Sequence, residues 1–249
     1  MEKTEKEEKR YGLVGKDISY SFSKTYFAEK FEKLQLSNHS YANYDLKEIS
    51  QFKIMLKEGE ISGLNVTIPY KEAVIPFLKN LEETAKKIGA VNTIKFTTQG
   101  LIGYNTDAYG FQKSLESHLK KTHKNALILG TGGASKAIAY VFKTLKISYK
   151  FVSRTPQNGQ LSYEEISKDL IKKHQIIINC SPVGTYPNNT DKPKIPYNYL
   201  TKNHLLFDLI YNPEKTAFLK EGEKKGAAIQ NGLKMLEFQA EKSWEIWNS

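Results

Sequence analysis

Lys71 closes the string Asn65-Val66-Thr67-Ile68-Pro69-Tyr70-Lys71, where amides, a hydroxyl and a cation cluster around an apolar run. Pro69 suits the start of a helix, and a helix dipole opposes a cation in the first turn, which fits Lys71 to proton exchange. An ordinary solvated lysine reads the same way locally. Two other segments concentrate polar groups: Ser21-Phe22-Ser23 and Gly103-Tyr104-Asn105-Thr106-Asp107. Serines at i and i+2 point the same way on extended chain, although Ser23 equally suits a helix cap. Asp107 is either a helix-capping carboxylate or a partner for Lys71. Asn92, in Gly89-Ala90-Val91-Asn92-Thr93, is a turn residue or a ligand contact.

A second kind of chemistry is written at Gly130-Thr131-Gly132-Gly133-Ala134-Ser135, which follows an apolar run and opens a helical pattern. Small residues there let the backbone approach a pyrophosphate, whose charge the helix N-terminus stabilises. Ser135 occupies the third usual glycine position, a departure from the fingerprint. Where an acid would bind a ribose 2′-hydroxyl, the chain instead reads Ser153-Arg154-Thr155. Arginine among hydroxyls suits a 2′-phosphate, so NADP is favoured over NAD.

These residues need a scaffold, and the chain of 249 residues is long enough for one large domain or two small ones. Before residue 107, β-like runs (Tyr11 to Val14, Gly63 to Ile68, Thr93 to Phe96) alternate with helical patterns at Ser23 to Leu34 and Leu46 to Glu58. From Asp107 a helix is expected through Leu119, then strand Ala126 to Leu129, the glycine turn, a helix over Ser135 to Leu145, and strand Ile147 to Val152. Runs at Gln175 to Asn179, Leu205 to Ile210 and Ala227 to Ile229 continue the rhythm of a doubly wound parallel sheet, and Leu233 to Trp247 is helical by period.

Composition narrows the functional classes. No apolar run approaches the roughly 20 residues of a membrane span. Met1 to Arg10 carries four acids and four bases without an apolar stretch behind it, and reads as a solvated tail rather than a secretory signal. One cysteine, Cys180, builds no disulfide or zinc site, five histidines show no ligand spacing, and no metal is expected. A cytoplasmic location is the default expectation, with no membrane partner. The net charge of +10 is compatible with small anions, but the bases are scattered beside acids, which argues against nucleic acid.

Taken in order, these strings resemble shikimate dehydrogenases of the shikimate/quinate family. The match runs from Tyr11-Gly12-Leu13-Val14-Gly15 through the segments above to Asn179-Cys180-Ser181-Pro182-Val183-Gly184, Asp208-Leu209-Ile210-Tyr211-Asn212-Pro213 and Gly232-Leu233-Lys234-Met235-Leu236 with Gln239. The resemblance implies an α/β architecture: an N-terminal substrate domain (1–106), a Rossmann-like NADP domain with a doubly wound parallel sheet (107–232), and a C-terminal helix (233–249) returning to the first. A cleft between the domains is implied to hold substrate against nicotinamide, closing about hinges near 105–107 and 231–234.

By the same resemblance, Ser21, Ser23, Asn65, Thr67, Asn92, Asp107, Tyr211 and Gln239 look like substrate contacts, and Lys71 like the catalytic residue. Gly130, Thr131, Gly132, Gly133 and Ala134 look like the pyrophosphate loop, Ser153, Arg154 and Thr155 like the adenosine-phosphate site, and Leu209, Gly232 and Met235 like neighbours of the nicotinamide. The implied reaction is reversible NADPH-dependent reduction of 3-dehydroshikimate to shikimate, in the route to chorismate and the aromatic amino acids. Lys71 would donate the proton as charge grows on the ketone oxygen, and Asp107 would bond the same hydroxyl and Lys71. The expected partner is this small anionic substrate, and the expected state a monomer or homodimer. Lys24 replaces a usual proline, and Asn158 stands where many members carry a second phosphate-binding arginine. An NAD-using quinate/shikimate dehydrogenase is therefore the alternative, and a non-catalytic nucleotide sensor a lesser one, disfavoured because Lys71 and Asp107 are both present.

Overall fold

In a computed structural model, which describes residues 7–19, 21–57 and 59–249, the chain divides into two units. One comprises residues up to Thr106 together with Ala240–Ser249, and the other Asp107–Gln239. No helix among the described residues is long and apolar enough to cross a membrane.

The first unit contains β1 (Lys9–Gly15), α1 (Phe22–Lys33), β2 (His39–Asp45), α2 (Phe52–Met55), β3 (Gly63–Val66), α3 (Tyr70–Ala73), β4 (Asn80–Leu81), α4 (Glu83–Ile88), β5 (Thr93–Thr97) and β6 (Gly100–Tyr104). The strands form one mixed sheet in the order β2-β1-β3-β5-β6-β4, in which β1 pairs in parallel with β2 and β3 and β5 runs antiparallel to its neighbours. Strand period sorts the residues between two faces. Val14, Leu64, Val66 and Ile94 pack with Phe52, Met55 and Ala85, whereas Tyr11, Leu13 and Tyr41 pack with Phe27 and Phe31 of α1.

Two expectations change here. Lys9 and Arg10, read as part of a charged tail, belong to β1, because their backbone pairs with His39 and Ser40; the residues before Glu7 lie outside the described residues. The helix expected over Leu46 to Glu58 is a 3-10 turn at Ile49–Gln51 followed by the single turn of α2. It starts late because the Glu48 and Gln51 side chains form a reciprocal capping box, and Glu58 lies outside the described residues.

The second unit contains α5 (Asp107–Glu116), β7 (Asn125–Leu129), α6 (Gly133–Thr144), β8 (Ser148–Val152), α7 (Lys168–Lys173), β9 (Ile176–Asn179), β10 (Leu205–Asp208), α8 (Ala217–Lys224), β11 (Ala228–Gln230) and the start of α9 (Leu233–Trp247). Every sheet pairing is parallel, in the order β11-β10-β9-β7-β8. Ala126 to Leu129 and Ile176 to Ile178 are wholly buried, as strands covered on both faces must be. Beyond β8 the chain returns at Leu161, whose amide donates to the Phe151 carbonyl while its carbonyl accepts from Ser153. Counting that bridge as a vestigial third strand, the order is the 3-2-1-4-5-6 of dinucleotide-binding sheets.

The division falls inside α9, between Gln239 and Ala240, and not at the helix start at Leu233. Its first half lies against Gly110 of α5, where an added side chain would meet the Met235 carbonyl and Gln239. Its second half completes the aromatic cluster of the first unit: Trp247 lies 4.8 Å from the Tyr11 ring and donates from Nε1 to the Ile94 carbonyl at 3.0 Å.

Candidate functional site

The first unit carries a buried polar network on the sheet face that α1 and α9 cover. Asn65 in β3 is its centre. Its Oδ1 accepts from the Tyr41 hydroxyl at 2.8 Å, and its Nδ2 lies 3.0 Å from Ser243 Oγ and 3.2 Å from both Thr93 Oγ1 and the Asn92 carbonyl. Asn92 in turn accepts on Oδ1 from the Thr106 amide at 2.7 Å and donates to Thr106 Oγ1 at 2.9 Å. A buried network with its donors and acceptors paired holds side chains in single rotamers, which a stereospecific site requires.

β2 extends this network toward the two serines. Tyr41, Asn43 and Asp45 share one face of the strand by period. Tyr41 also interacts with Ser23, and burial pushes its phenol well above the usual range. Asn43 accepts on Oδ1 from the Ser21 hydroxyl at 3.0 Å and donates to the Ile18 carbonyl at 2.7 Å, while Asp45 accepts from the Asp17 amide. Ser21 is the N-cap of α1, accepting from the Lys24 amide, whereas Ser23 lies buried inside the helix. Thr67 and Lys71 follow β3 and are partly buried. The Thr67 amide donates to the Val14 carbonyl, and the Lys71 carbonyl accepts from the Val91 amide. The helix expected after Pro69 is the four-residue α3, too short for much of a dipole at Lys71.

In the second unit, Asp107 is buried in the first turn of α5 and Gln239 is buried in α9, donating to the Leu236 carbonyl. Gln239 stands four residues before Ser243, on the same helix face. Tyr211 is partly buried in the segment after β10. Of the expected substrate contacts, Asn65 and Asn92 are thus linked through one hydrogen-bonded network, and Ser23 lies buried beside it, interacting with Tyr41. Ser21 is joined to it only along β2, and Asp107, Tyr211 and Gln239 belong to the other unit.

At the carboxyl ends of β7 and β9, Gly130 takes a φ of +107° and its backbone lies against Cys180 and Ser181. This is the crevice where neighbouring connections leave in opposite directions, the ligand position of open parallel sheets. Gly132 caps α6 without a side-chain bond; the Ser135 amide donates to the Gly132 carbonyl, and the Gly133 and Ala134 N–H groups are left without a side-chain cap. Ser135 fits the glycine position because its hydroxyl turns back to donate to the Gly132 carbonyl at 2.6 Å. After β8, Ser153 is buried and accepts from the Thr155 amide, while Arg154 and Thr155 are exposed. Arg154, Tyr163, Ser181 and Pro182 line a cavity of about 510 Å³. At the ends of β10 and β11, a side chain on Gly232 would overlap the Leu209 carbonyl, so these two segments meet backbone to backbone, with Met235 buried beside them in the first turn of α9.

The sequence reading missed Tyr41, Asn43, Thr93, Ser243 and Asp208. The alternation of Tyr41, Asn43 and Asp45 is the signal for the first two; Ser243 is one polar residue within an amphipathic helix and carries none. Asp208 is buried at the end of β10 and accepts from Thr216 Oγ1, Asn179 Nδ2 and the Ile210 amide. Burial raises its pKa to about 6 against the pull of those three bonds. Cys180 is partly buried, and burial with the nearby Asp208 charge raises its thiol, which fits a packing role.

Residues 13–94 match the family model described as the shikimate dehydrogenase substrate binding domain. A shikimate dehydrogenase (NADP(+)) of Methanococcus vannielii is 36% identical, the aligned region covering 95% of this chain and 90% of that one. The chain belongs to the shikimate dehydrogenase family. Among solved members of the family, a chorismate mutase/shikimate 5-dehydrogenase fusion protein from Clostridium acetobutylicum superposes with a TM-score of 0.87 at 36% identity, covering 97% of this chain and 91% of that one. The shikimate 5-dehydrogenase of Thermus thermophilus, solved with NADP(H) and shikimate, gives a TM-score of 0.84 at 29% identity over 96% and 92% of the two chains. The shikimate dehydrogenase match thus spans both units, the mixed sheet as well as the parallel one.

Proposed function

We propose that this chain is an NADP-dependent shikimate dehydrogenase, an oxidoreductase that reversibly reduces the ketone of 3-dehydroshikimate to the secondary alcohol of shikimate. The observation that carries the reading is the similarity to shikimate dehydrogenases (NADP(+)) along nearly the whole chain, with Lys71, Asp107 and the glycine turn all present.

The second unit fits the cofactor. The uncapped first turn of α6 and the Gly130 bend suit a pyrophosphate, and Arg154, which has no ion-pair partner among the described residues, suits a 2′-phosphate. Gly130, Thr131, Gly132, Gly133 and Ala134 would hold the pyrophosphate, Ser153, Arg154 and Thr155 the adenosine end, and Leu209, Gly232 and Met235 the nicotinamide end. When bound, NADPH supplies the hydride that the ketone carbon receives.

The chain's own residues manage charge and protons. Lys71, as ammonium, stabilises the oxygen that gains negative charge and donates its Nζ proton to it. In the oxidation direction the neutral amine accepts that proton. Asp107 accepts a hydrogen bond from the reacting hydroxyl and fixes its orientation. Ser21, Ser23, Asn65, Thr67, Asn92, Tyr211 and Gln239 supply the remaining polar contacts to a small, hydroxyl-rich anion. The bonds from Tyr41 and the Thr106 amide, and those that Asn65 Nδ2 donates to Ser243 and the Asn92 carbonyl, support this by fixing which way the Asn65 and Asn92 amides face.

The test is absorbance of reduced nicotinamide with shikimate as reductant, comparing NADP with NAD and the native chain with Lys71→Ala. Rapid NADP reduction that falls by about 10²-fold or more in the variant is expected. Preference for NAD or for quinate would move the chain to the broader relatives, and no turnover of either acid would overturn the reading.

A further inference from the structure

The cavity beyond the end of β8 brings two lysines to the side of Arg154, with Glu164 and Asp191 as the acids of its wall. Its wall includes Lys192 and Lys194, from the long connection between β9 and β10, beside Arg154, Tyr163 and Ser181. The three cations are not equivalent. Lys192 is engaged, with Nζ 2.9 Å from Glu221 Oε1 and 5.0 Å from the centre of the Tyr197 ring. Arg154 and Lys194 form no ion pair among the described residues, and they approach the cavity from different loops.

The remaining lining defines what such a cavity takes. Tyr163 presents a partly buried ring close enough to Arg154 to feel its charge, and Ser181 presents a hydroxyl. Glu164 on the rim is held below its ordinary value by its own backbone amide and Ser162, with the Lys194 charge adding to the effect. It stays ionised without forming a contact pair with Lys194, so the ammonium remains available to a stronger anion. An aromatic face, a hydroxyl and two open cations suit a nucleoside carrying a phosphate away from its pyrophosphate.

We propose that Lys194 is a specificity-determining residue, clamping the cofactor's 2′-phosphate against Arg154 from the opposite loop. The inference rests on the NADP reading above and deepens it. Arg154 supplies a planar fork after β8, Lys194 a point charge from the β9–β10 connection, and the preference for NADP over NAD is divided between them.

The test is calorimetric titration of the full chain with adenosine 2′,5′-bisphosphate and, separately, with adenosine 5′-monophosphate. Lys194→Ala is expected to weaken the bisphosphate by about tenfold and leave the monophosphate unchanged, while Lys194→Arg retains most of the affinity. Lys192→Ala, already engaged elsewhere, is expected to change neither. The ratio of kcat/KM for NADP to that for NAD should fall in parallel with the bisphosphate affinity. Equal weakening of both ligands, or of neither, overturns the role of Lys194 while leaving the function intact. A native chain that binds the bisphosphate no better than the monophosphate overturns the NADP reading and this proposal with it.

Discussion

The Tyr41 hydroxyl donates a 2.8 Å hydrogen bond to Oδ1 of Asn65, while the Asn92 carbonyl, which can only accept, fixes Nδ2 on the other side of the amide. With Oδ1 committed, Nδ2 must serve Ser243, Thr93 and the Asn92 carbonyl.

Tyr41→Phe removes the donor and leaves Oδ1 buried without it. A loss of about 1–3 kcal/mol in unfolding free energy is expected, with a raised KM for shikimate because Asn65 is no longer held. Urea denaturation and steady-state kinetics measure both. If stability and KM both match the native chain, Tyr41 does not position Asn65.

Gly232 is the second test, since any side chain there runs into the Leu209 carbonyl. Gly232→Ala must push the ends of β10 and β11 apart, costing about 1–3 kcal/mol and weakening NADP at its nicotinamide end. Thermal melting with and without NADP reads the two effects separately. A variant with native melting temperature and native NADP stabilisation would show that the segments are not locked backbone to backbone.

Acid stability follows from the histidines at the amino-terminal edge of the parallel sheet. His123 accepts on Nδ1 from the Lys120 amide and donates from Nε2 to the Asn203 carbonyl, so it is neutral. Burial, with the Lys120 and His204 charges, lowers its pKa from 6.5; burial likewise lowers His174, with Lys173 and Lys150 adding to the effect. Groups depressed on folding contribute stability that is full above their unfolded value and lost as pH falls through the folded one. Asp208, raised to about 6, has the opposite sign: its contribution is lost as pH rises through that value. Falling pH meets the unfolded histidine value of 6.5 before the Asp208 value of about 6, so the melting temperature should begin to drop below about pH 6.5, and His123→Gln with His174→Gln should flatten the drop. An unchanged slope in the double variant would remove the histidines as its cause.

The parallel unit was largely legible because its strands are buried on both faces and read as unbroken apolar runs between turns, as at Ala126 to Leu129. The glycine turn was legible because its small residues sit where a strand becomes a helix. β2 was not. It is an edge strand whose site-facing positions are polar, so the alternation of Tyr41, Asn43 and Asp45 lacks the apolar contrast that marks a strand. The third strand position beside β8 is reduced to one bridge at Leu161, too short for any periodicity. Asn65 and Asn92 were singled out by their strings, but their hydrogen-bond partners come from residues as distant as Ser243, and no local pattern encodes that pairing.

The split of α9 at residue 240 has a consequence for the order in which the chain is made. Residues 240–249 leave the ribosome only after the whole parallel-sheet unit has been synthesised, yet they bring Ser243 to Asn65 and Trp247 to Tyr11. The unit begun first is therefore finished last: α1 covers part of one sheet face early, but the part that α9 covers must wait while more than a hundred intervening residues are added. Contacts of such long sequence separation make its closure a late step in folding.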